Sequence, residues 1–281
     1  MSFLPHVDYL HAVAGLMVGI LVGLTGVGGG SLMTPLLVLM FGINPQTAVG
    51  TDLLYAATTK TVGSAVHGWR ETVDWRIMRR LACGSVPTAV VTLAVLAWVG
   101  PIAKHTQLAV LVILAVMLAL TSLAVIFQKQ LIAFAQTRRP MDSPHVIYST
   151  AALGAVIGLA VSLSSVGAGA IGVTALLMMY PNLPIARIVG TDIAHAVPLA
   201  LVAGLGHWMI GDVNLVLLFS LLCGSIPGVI IGSLLSSRAP DRWLRPALAV
   251  VLMLSSWQLF AKSIIGDKPA KHDKPAAAAA R

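Results

Sequence analysis

The tripeptide Gly-Thr-Asp occurs twice in this chain, at 50–52 and 190–192, and the residues after each copy keep the same offset of 140. Each copy leads into an apolar run that closes on a histidine, His67 or His207. Cys83-Gly84-Ser85-Val86-Pro87 then matches Cys223-Gly224-Ser225-Ile226-Pro227. One apolar unit has been used twice. Duplication in a membrane chain is the usual mark of a transporter built from two related halves.

The membrane assignment follows from composition. Apolar residues make up 57% of the chain and charged residues 10%, against roughly 25% charged in soluble domains. Residues 108–127 and 215–235 carry no charge at all, and such lengths satisfy the ~18 residues of a spanning helix. The net charge of +8 sits mostly in loops and the tail, which suits membrane flanks and excludes a nucleic-acid surface. The first eight residues hold no Lys or Arg, so no basic signal-peptide region is expected. Cys83 and Cys223 lie beside small residues in apolar runs, which reads as helix packing and not as a disulfide framework.

The expected fold is an all-α polytopic membrane protein with two inverted-topology repeats of about five helical segments each. The first repeat spans 1–127, with segments at 11–24, 29–41, 47–67, 81–99 and 106–127. A cytoplasmic connector covers 128–145. The second repeat, 146–265, has segments at 146–163, 169–180, 185–209, 213–236 and 243–265, and 266–281 form a disordered tail. The second segment of each repeat is too short to cross, so it reads as a broken or re-entrant helix. Arg70, Arg76, Arg79 and Arg80 place the loop after the third segment in the cytoplasm, whereas the matching 210–214 loop has no Lys or Arg. The next pair reverses the bias, with only Lys104 in 100–105 against Arg238, Arg242 and Arg245 in 237–246. Opposite bias in equivalent loops implies halves inserted in opposite senses. The lysines of the tail run against that reading.

Asp52 and Asp192 are the acidic residues well inside apolar segments. A carboxylate at membrane depth is costly and tends to be kept for a task. The alternative is a helix-start cap, with Pro45 and Pro184 just upstream. At 100° per residue, Thr59, Lys60 and His67 fall within about 20°, 80° and 60° of Asp52 on one helical stripe. Asp192, His195 and His207 share a similar arc in the second half. Such stripes suit a water-lined path in which Asp52, Asp192, His67, His195 and His207 exchange protons. Snorkelling competes as a reading of Lys60.

The stretch Gly26-Val27-Gly28-Gly29-Gly30-Ser31 lacks the strand and Lys of a nucleotide loop. Its counterpart is Ser165-Val166-Gly167-Ala168-Gly169-Ala170. Two matching breaks would each start a half-helix whose bare N–H groups point into the bundle. Irregular backbone at this depth needs protein or water around it. The expected anion site therefore uses Thr25, Gly26, Gly28, Gly29, Ser31, Ser164, Ser165, Gly167 and Gly169, with Lys60 as the nearest positive charge. Close packing through small residues is the alternative.

The pieces GVGGGSLMTPLL, NPQTAVGTDLL, HGWRETVDWR and CGSVP, repeated as VGAGAIGVTALL, LPIARIVGTDIAHA, GHWMIGDVN and CGSIPG, resemble the TauE/SafE family of sulfite and organosulfonate exporters over residues 12–265. That resemblance implies a multi-pass protein of the bacterial inner membrane that moves a small sulfur-containing anion with the proton gradient. Many relatives carry Ser after Gly-Thr, where this chain has Asp52 and Asp192. The expected function is a secondary transporter, an exporter of sulfite or an organosulfonate. No cofactor, metal or nucleic acid is implied; the partners are a small anion and the lipid bilayer, and a homodimer stays open. An intramembrane hydrolase using Ser165 with His195 or His207, and a passive anion channel, are the alternatives.

Overall fold

The computed structural model describes residues 8–25, 30–67, 73–99, 104–136, 143–235 and 241–265, and contains no strand among them. The first half forms α1 (Tyr9–Thr25), α2 (Gly30–Leu39), α3 (Pro45–His67), α4 (Trp75–Val99) and α5 (Lys104–Ile126). After α6 (Gln128–Gln136), the second half forms α7 (Ser143–Ser164), α8 (Ala170–Met179), α9 (Ile185–Ile210), α10 (Leu215–Leu235) and α11 (Asp241–Ile265). Among the described residues, six helices are long and apolar enough to cross a membrane: those at 75–99, 107–126, 145–164, 185–210, 215–235 and 246–264. The chain is a multi-pass membrane protein.

The short second segments are as short as expected. At 10 residues each, α2 and α8 reach about 15 Å, half the hydrocarbon thickness. Two boundaries differ from the sequence expectation. α4 begins at Trp75, so Arg76, Arg79 and Arg80 lie on its first turns and not in a loop. Asp74 supplies the start: its Oδ1 accepts the N–H groups of Arg76 at 3.0 Å and Ile77 at 3.3 Å, an N-cap. The 128–145 connector also carries a helix, α6, because Gln-Lys-Gln-Leu-Ile-Ala-Phe-Ala-Gln has good helix formers and one apolar side. Its Ile132 packs on a core cluster that includes Leu176 and Leu177 of α8.

The two halves interlock by exchange. α1 lies along α10, and α7, its counterpart, lies along α4. α3 packs on α9 and α5 on α11. Gly15 abuts Leu221, Gly19 abuts Ser225 and Gly23 abuts Val229, so α1 and α10 run parallel. Gly154 against Leu81 and Gly158 against Ser85 make α7 parallel to α4. By contrast α5 and α11 run antiparallel, tied by Ser122 Oγ donating to the Ala249 carbonyl at 2.8 Å and Ser256 Oγ to the Ala115 carbonyl at 2.7 Å. Ser122 and Ser256 are 134 residues apart, as are Ala115 and Ala249, so the two bonds are copies of each other.

Small residues make the parallel crossings possible. Lipid tails are as apolar as leucine, so helices in a membrane associate through close backbone approach and hydrogen bonds. A Cβ on Gly224 would collide with the Ala12 carbonyl, and one on Gly84 with the Ala151 carbonyl. Neighbouring Cys83 and Cys223 are exposed, so the packing expected of the cysteines is done by the glycines beside them. α4 and α10 run through Pro87 and Pro227 as single helices.

Gly84→Ala and Gly224→Ala should each destabilise the protein by about 1–3 kcal/mol, the range for overpacking. Thermal unfolding in detergent checks this, and wild-type midpoints in both variants would contradict the crossing.

Candidate functional site

The interior of the interlocked bundle is polar. Asp52 lies two turns inside α3 and Asp192 two turns inside α9, which removes the helix-cap reading of both. The start of α3 is instead served by Asn44, whose Oδ1 accepts the Gln46 N–H at 3.0 Å. Asp52 and Asp192 are fully buried. Their surroundings explain how the protein holds them. The Thr34 hydroxyl of α2 donates to Asp52 Oδ2, and the Ser165 hydroxyl lies beside the same carboxylate. Asp192 faces the Gly169 N–H at the start of α8. Its Oδ1 sits so close to Gly172 that a Cβ there would collide with it. Lys60, half-buried in α3, is within electrostatic reach of both Asp192 and Asp52.

The second glycine-rich break is unwound. α7 ends at Ser164, and Ser165, Gly167 and Gly169 then take φ of 58°, 125° and 126°. The last two values lie in the left-handed half of the map, where glycine carries no Cβ penalty. Gly169 opens α8 with no side-chain cap, so its backbone donors face the interior instead. Ser164 braces the bend: its hydroxyl donates to the Ala160 carbonyl at 2.7 Å and accepts the Val166 N–H at 3.2 Å. Gly26, Gly28 and Gly29 of the first break lie outside the described residues, as do the side chains of Thr25 and His67. Ser31 is buried in the first turn of α2.

Between the halves, hydrogen bonds come in matched pairs. Tyr55 OH meets Ser225 Oγ at 2.7 Å, and His195 Nε2 meets Ser85 Oγ at 2.7 Å. Tyr55 and His195 are 140 positions apart, and so are Ser85 and Ser225. Thr51 Oγ1 accepts the Asn214 N–H at 3.1 Å, and Thr191 Oγ1 accepts the Asp74 N–H at 2.8 Å. The threonines of the two Gly-Thr-Asp copies thus hold the opposite half at the start of its fourth helix. Asp74 and Asn214 themselves cap those helices. Sequence reasoning passed over Tyr55, Thr34, Thr51, Thr191, Ser85 and Ser225. The signal was available for the last four, since they repeat at the same offset as the aspartates.

His207, which closes the second apolar run, does not reach the surface. It is buried, and its Nε2–H donates to the Ser162 carbonyl at 2.9 Å. Its Nδ1 is 3.5 Å from Asp212 Oδ2, another buried carboxylate. His195 is committed to Ser85, His207 to Ser162, and Ser165 Oγ has no hydrogen-bond partner. The serine–histidine pair that a hydrolase requires is not brought together. Among the described residues, six buried side-chain atoms have no hydrogen-bond partner: Asp52 Oδ1, Ser162 Oγ, Ser165 Oγ, Asp192 Oδ1, His195 Nδ1 and His207 Nδ1. Buried polar groups are nearly always hydrogen-bonded, so each unsatisfied one in a native interior calls for an explanation.

Residues 11–259 match the family described as Sulfite exporter TauE/SafE. The chain is 38% identical over 249 residues to "Probable membrane transporter protein YjnA" of Bacillus subtilis (strain 168), covering 87% of this chain and 96% of that one. It is 28% identical over 248 residues to "Probable membrane transporter protein YdhB" of the same organism, covering 85% and 96%. A third relative, "Probable membrane transporter protein" of Xylella fastidiosa (strain Temecula1 / ATCC 700964), is 38% identical over 64 residues, 22% of this chain and 24% of that one. No solved structure matches the chain.

A double-mutant cycle on Tyr55→Phe and Ser225→Ala should return a coupling of about 0.5–1.7 kcal/mol, the range measured for buried hydrogen bonds between membrane helices. Strictly additive unfolding free energies would show that the two hydroxyls are not bonded.

Proposed function

Because the chain belongs to the TauE/SafE family of sulfite exporters, we propose that it is a proton-coupled secondary transporter. Its substrate is a small sulfur-containing anion, sulfite or an organosulfonate, carried across a bacterial inner membrane. The repeats, 1–127 and 146–265, insert in opposite senses, with 128–145 in the cytoplasm. The antiparallel run of the equivalent helices α5 and α11 supports that orientation. The substrate lies between the halves, among Lys60, Ser164, Ser165, Gly167 and Gly169, with Thr25, Gly26, Gly28, Gly29 and Ser31 as the equivalent set from the first break.

The observation that carries this reading is the position of Asp192. Its carboxylate faces the N-terminus of α8 and the Lys60 ammonium, which are the groups that would receive an anion. Carboxylate and substrate therefore compete for the same donors. When Asp192 is ionised it occupies them itself. When it takes up a proton, its charge is gone and the donors are released to the substrate. A proton and an anion then share one binding event, which is coupling by mutual dependence. Asp52, held by Thr34 and close to Ser165, gives the other half an equivalent carboxylate. His195 stands within electrostatic reach of Lys60 and passes protons to this centre, with His67 and His207 further along α3 and α9.

An organosulfonate that stays ionised throughout, such as 2-hydroxyethanesulfonate, separates protein from substrate titration. Wild-type protein should bind it more tightly at acid than at alkaline pH, because a proton on Asp192 frees the donors. Asp192→Asn should bind it equally at both and lose accumulation driven by a pH gradient. Lys60→Gln should weaken binding about tenfold or more, a charge-assisted hydrogen bond being worth about 1.5–3 kcal/mol. Pump activity at the wild-type level in Asp192→Asn would end the coupling role.

A further inference from the structure

A second polar feature lies at one end of the α4–α7 pair. A shallow cavity of about 430 Å³ is lined by Arg76, Arg79, Arg80, Cys83, Ile147 and Ala151. The three arginines occupy the first turns of α4, a spanning helix. α7 runs parallel to α4, so Ile147 brings the beginning of a second spanning helix to the same membrane face. The cavity thus joins a cationic rim to an apolar floor at the level where headgroups meet acyl chains.

Among the described residues, no carboxylate pairs with Arg76, Arg79 or Arg80. Asp74, the carboxylate nearest in sequence, spends its Oδ1 on the α4 cap and its Oδ2 lies 3.8 Å from Arg187. Arg79 uses its Nε to reach the Trp75 carbonyl at 3.3 Å, and Arg80 reaches Tyr180 OH at 3.4 Å. Each guanidinium has five N–H donors, so most of them stay available. Tyr180 OH is itself fixed by Thr150 Oγ1 at 2.7 Å, which holds the Arg80 fork in place. Trp75 and Tyr148, both largely exposed, flank the site as interfacial aromatics do.

Comparison with the other half isolates the cause. At the offset of 140, Arg76, Arg79 and Arg80 become Val216, Phe219 and Ser220. The scaffold is duplicated and the charge is not. The positive-inside bias accounts for basic residues at this face; what it does not require is that three of them line one cavity with an apolar floor.

We propose that the Arg76–Arg79–Arg80 cavity binds the phosphate of an anionic glycerophospholipid, with one acyl chain along Ile147 and Ala151. Arginine forks suit phosphate oxygens in paired hydrogen bonds, and basic pockets between spanning helices bind anionic headgroups. Nothing in the transport reading above is needed for this site.

The test uses purified full-length protein with phosphatidylglycerol, phosphatidylcholine or inorganic phosphate added at equal concentration. Phosphatidylglycerol should raise the wild-type unfolding midpoint by about 3 °C or more, through preferential binding to the folded state. Phosphatidylcholine and inorganic phosphate should not. The shift should vanish in R76Q/R79Q, with the midpoint in phosphatidylcholine unchanged. Native mass spectrometry of the wild type, counting retained phosphatidylglycerol against phosphatidylcholine, decides the matter even if that variant folds poorly. Equal retention of the two lipids would overturn the proposal. So would an equal shift from inorganic phosphate, which would assign the site to a free anion, or a full shift surviving in R76Q/R79Q.

Discussion

Two carboxylates buried in the middle of a membrane protein set the terms for everything around them. An ionised or protonated carboxyl at such depth needs donors, partners or both. The protein brings these by turning the chain back into its own interior. α2 presents Thr34 to Asp52, and α8 presents the Gly169 N–H to Asp192. Half-length helices are the means, because a full-length helix would carry its N-terminal donors to the membrane surface. The unwound Ser165–Gly169 stretch, the closeness of Gly172 to Asp192 and the reach of Lys60 to both acids follow from this one requirement.

The frame that holds this interior in place is built from reciprocity. Three hydrogen bonds between the halves occur with their counterparts: Tyr55–Ser225 with His195–Ser85, Thr51–Asn214 with Thr191–Asp74, Ser122–Ala249 with Ser256–Ala115. Where the copies differ, chemistry enters. Tyr55 and His195 make the same bond with different side chains, and the histidine falls within electrostatic reach of Lys60. Lys60 has Ala200 at its matching position, so the cation beside the two acids is contributed by one half only.

Much of this was legible in the sequence, for identifiable reasons. The spans, the short second segment of each half and the duplication are periodic or compositional, and such features survive without knowledge of packing. The placement of Asp52, Asp192, Lys60 and His195 on inward stripes follows from helical phase alone. The exchange of α1 onto α10 does not, because Gly15, Gly19, Gly224 and Gly228 read as generic small residues until their partners are known. His207 illustrates a different limit. It stands in the last turn of α9, yet the 211–214 turn folds back over it and buries it beside Asp212. The start of α4 was misplaced because its arginines outweighed the capping signal of Asp74.

The exchanged pairing also bears on biogenesis. α1 is made well before α10, to which the groove that receives it belongs. Until then its glycine face has only lipid to meet, which fills a narrow groove poorly. α4 and α7 meet at a separation of 73 residues (Leu81 to Gly154) against 206 for α1 and α10 (Gly15 to Leu221), so they can dock earlier and at less entropic expense. Assembly should therefore proceed from the centre of the chain outward, with the amino-terminal helix waiting as a clasp that seals the finished molecule.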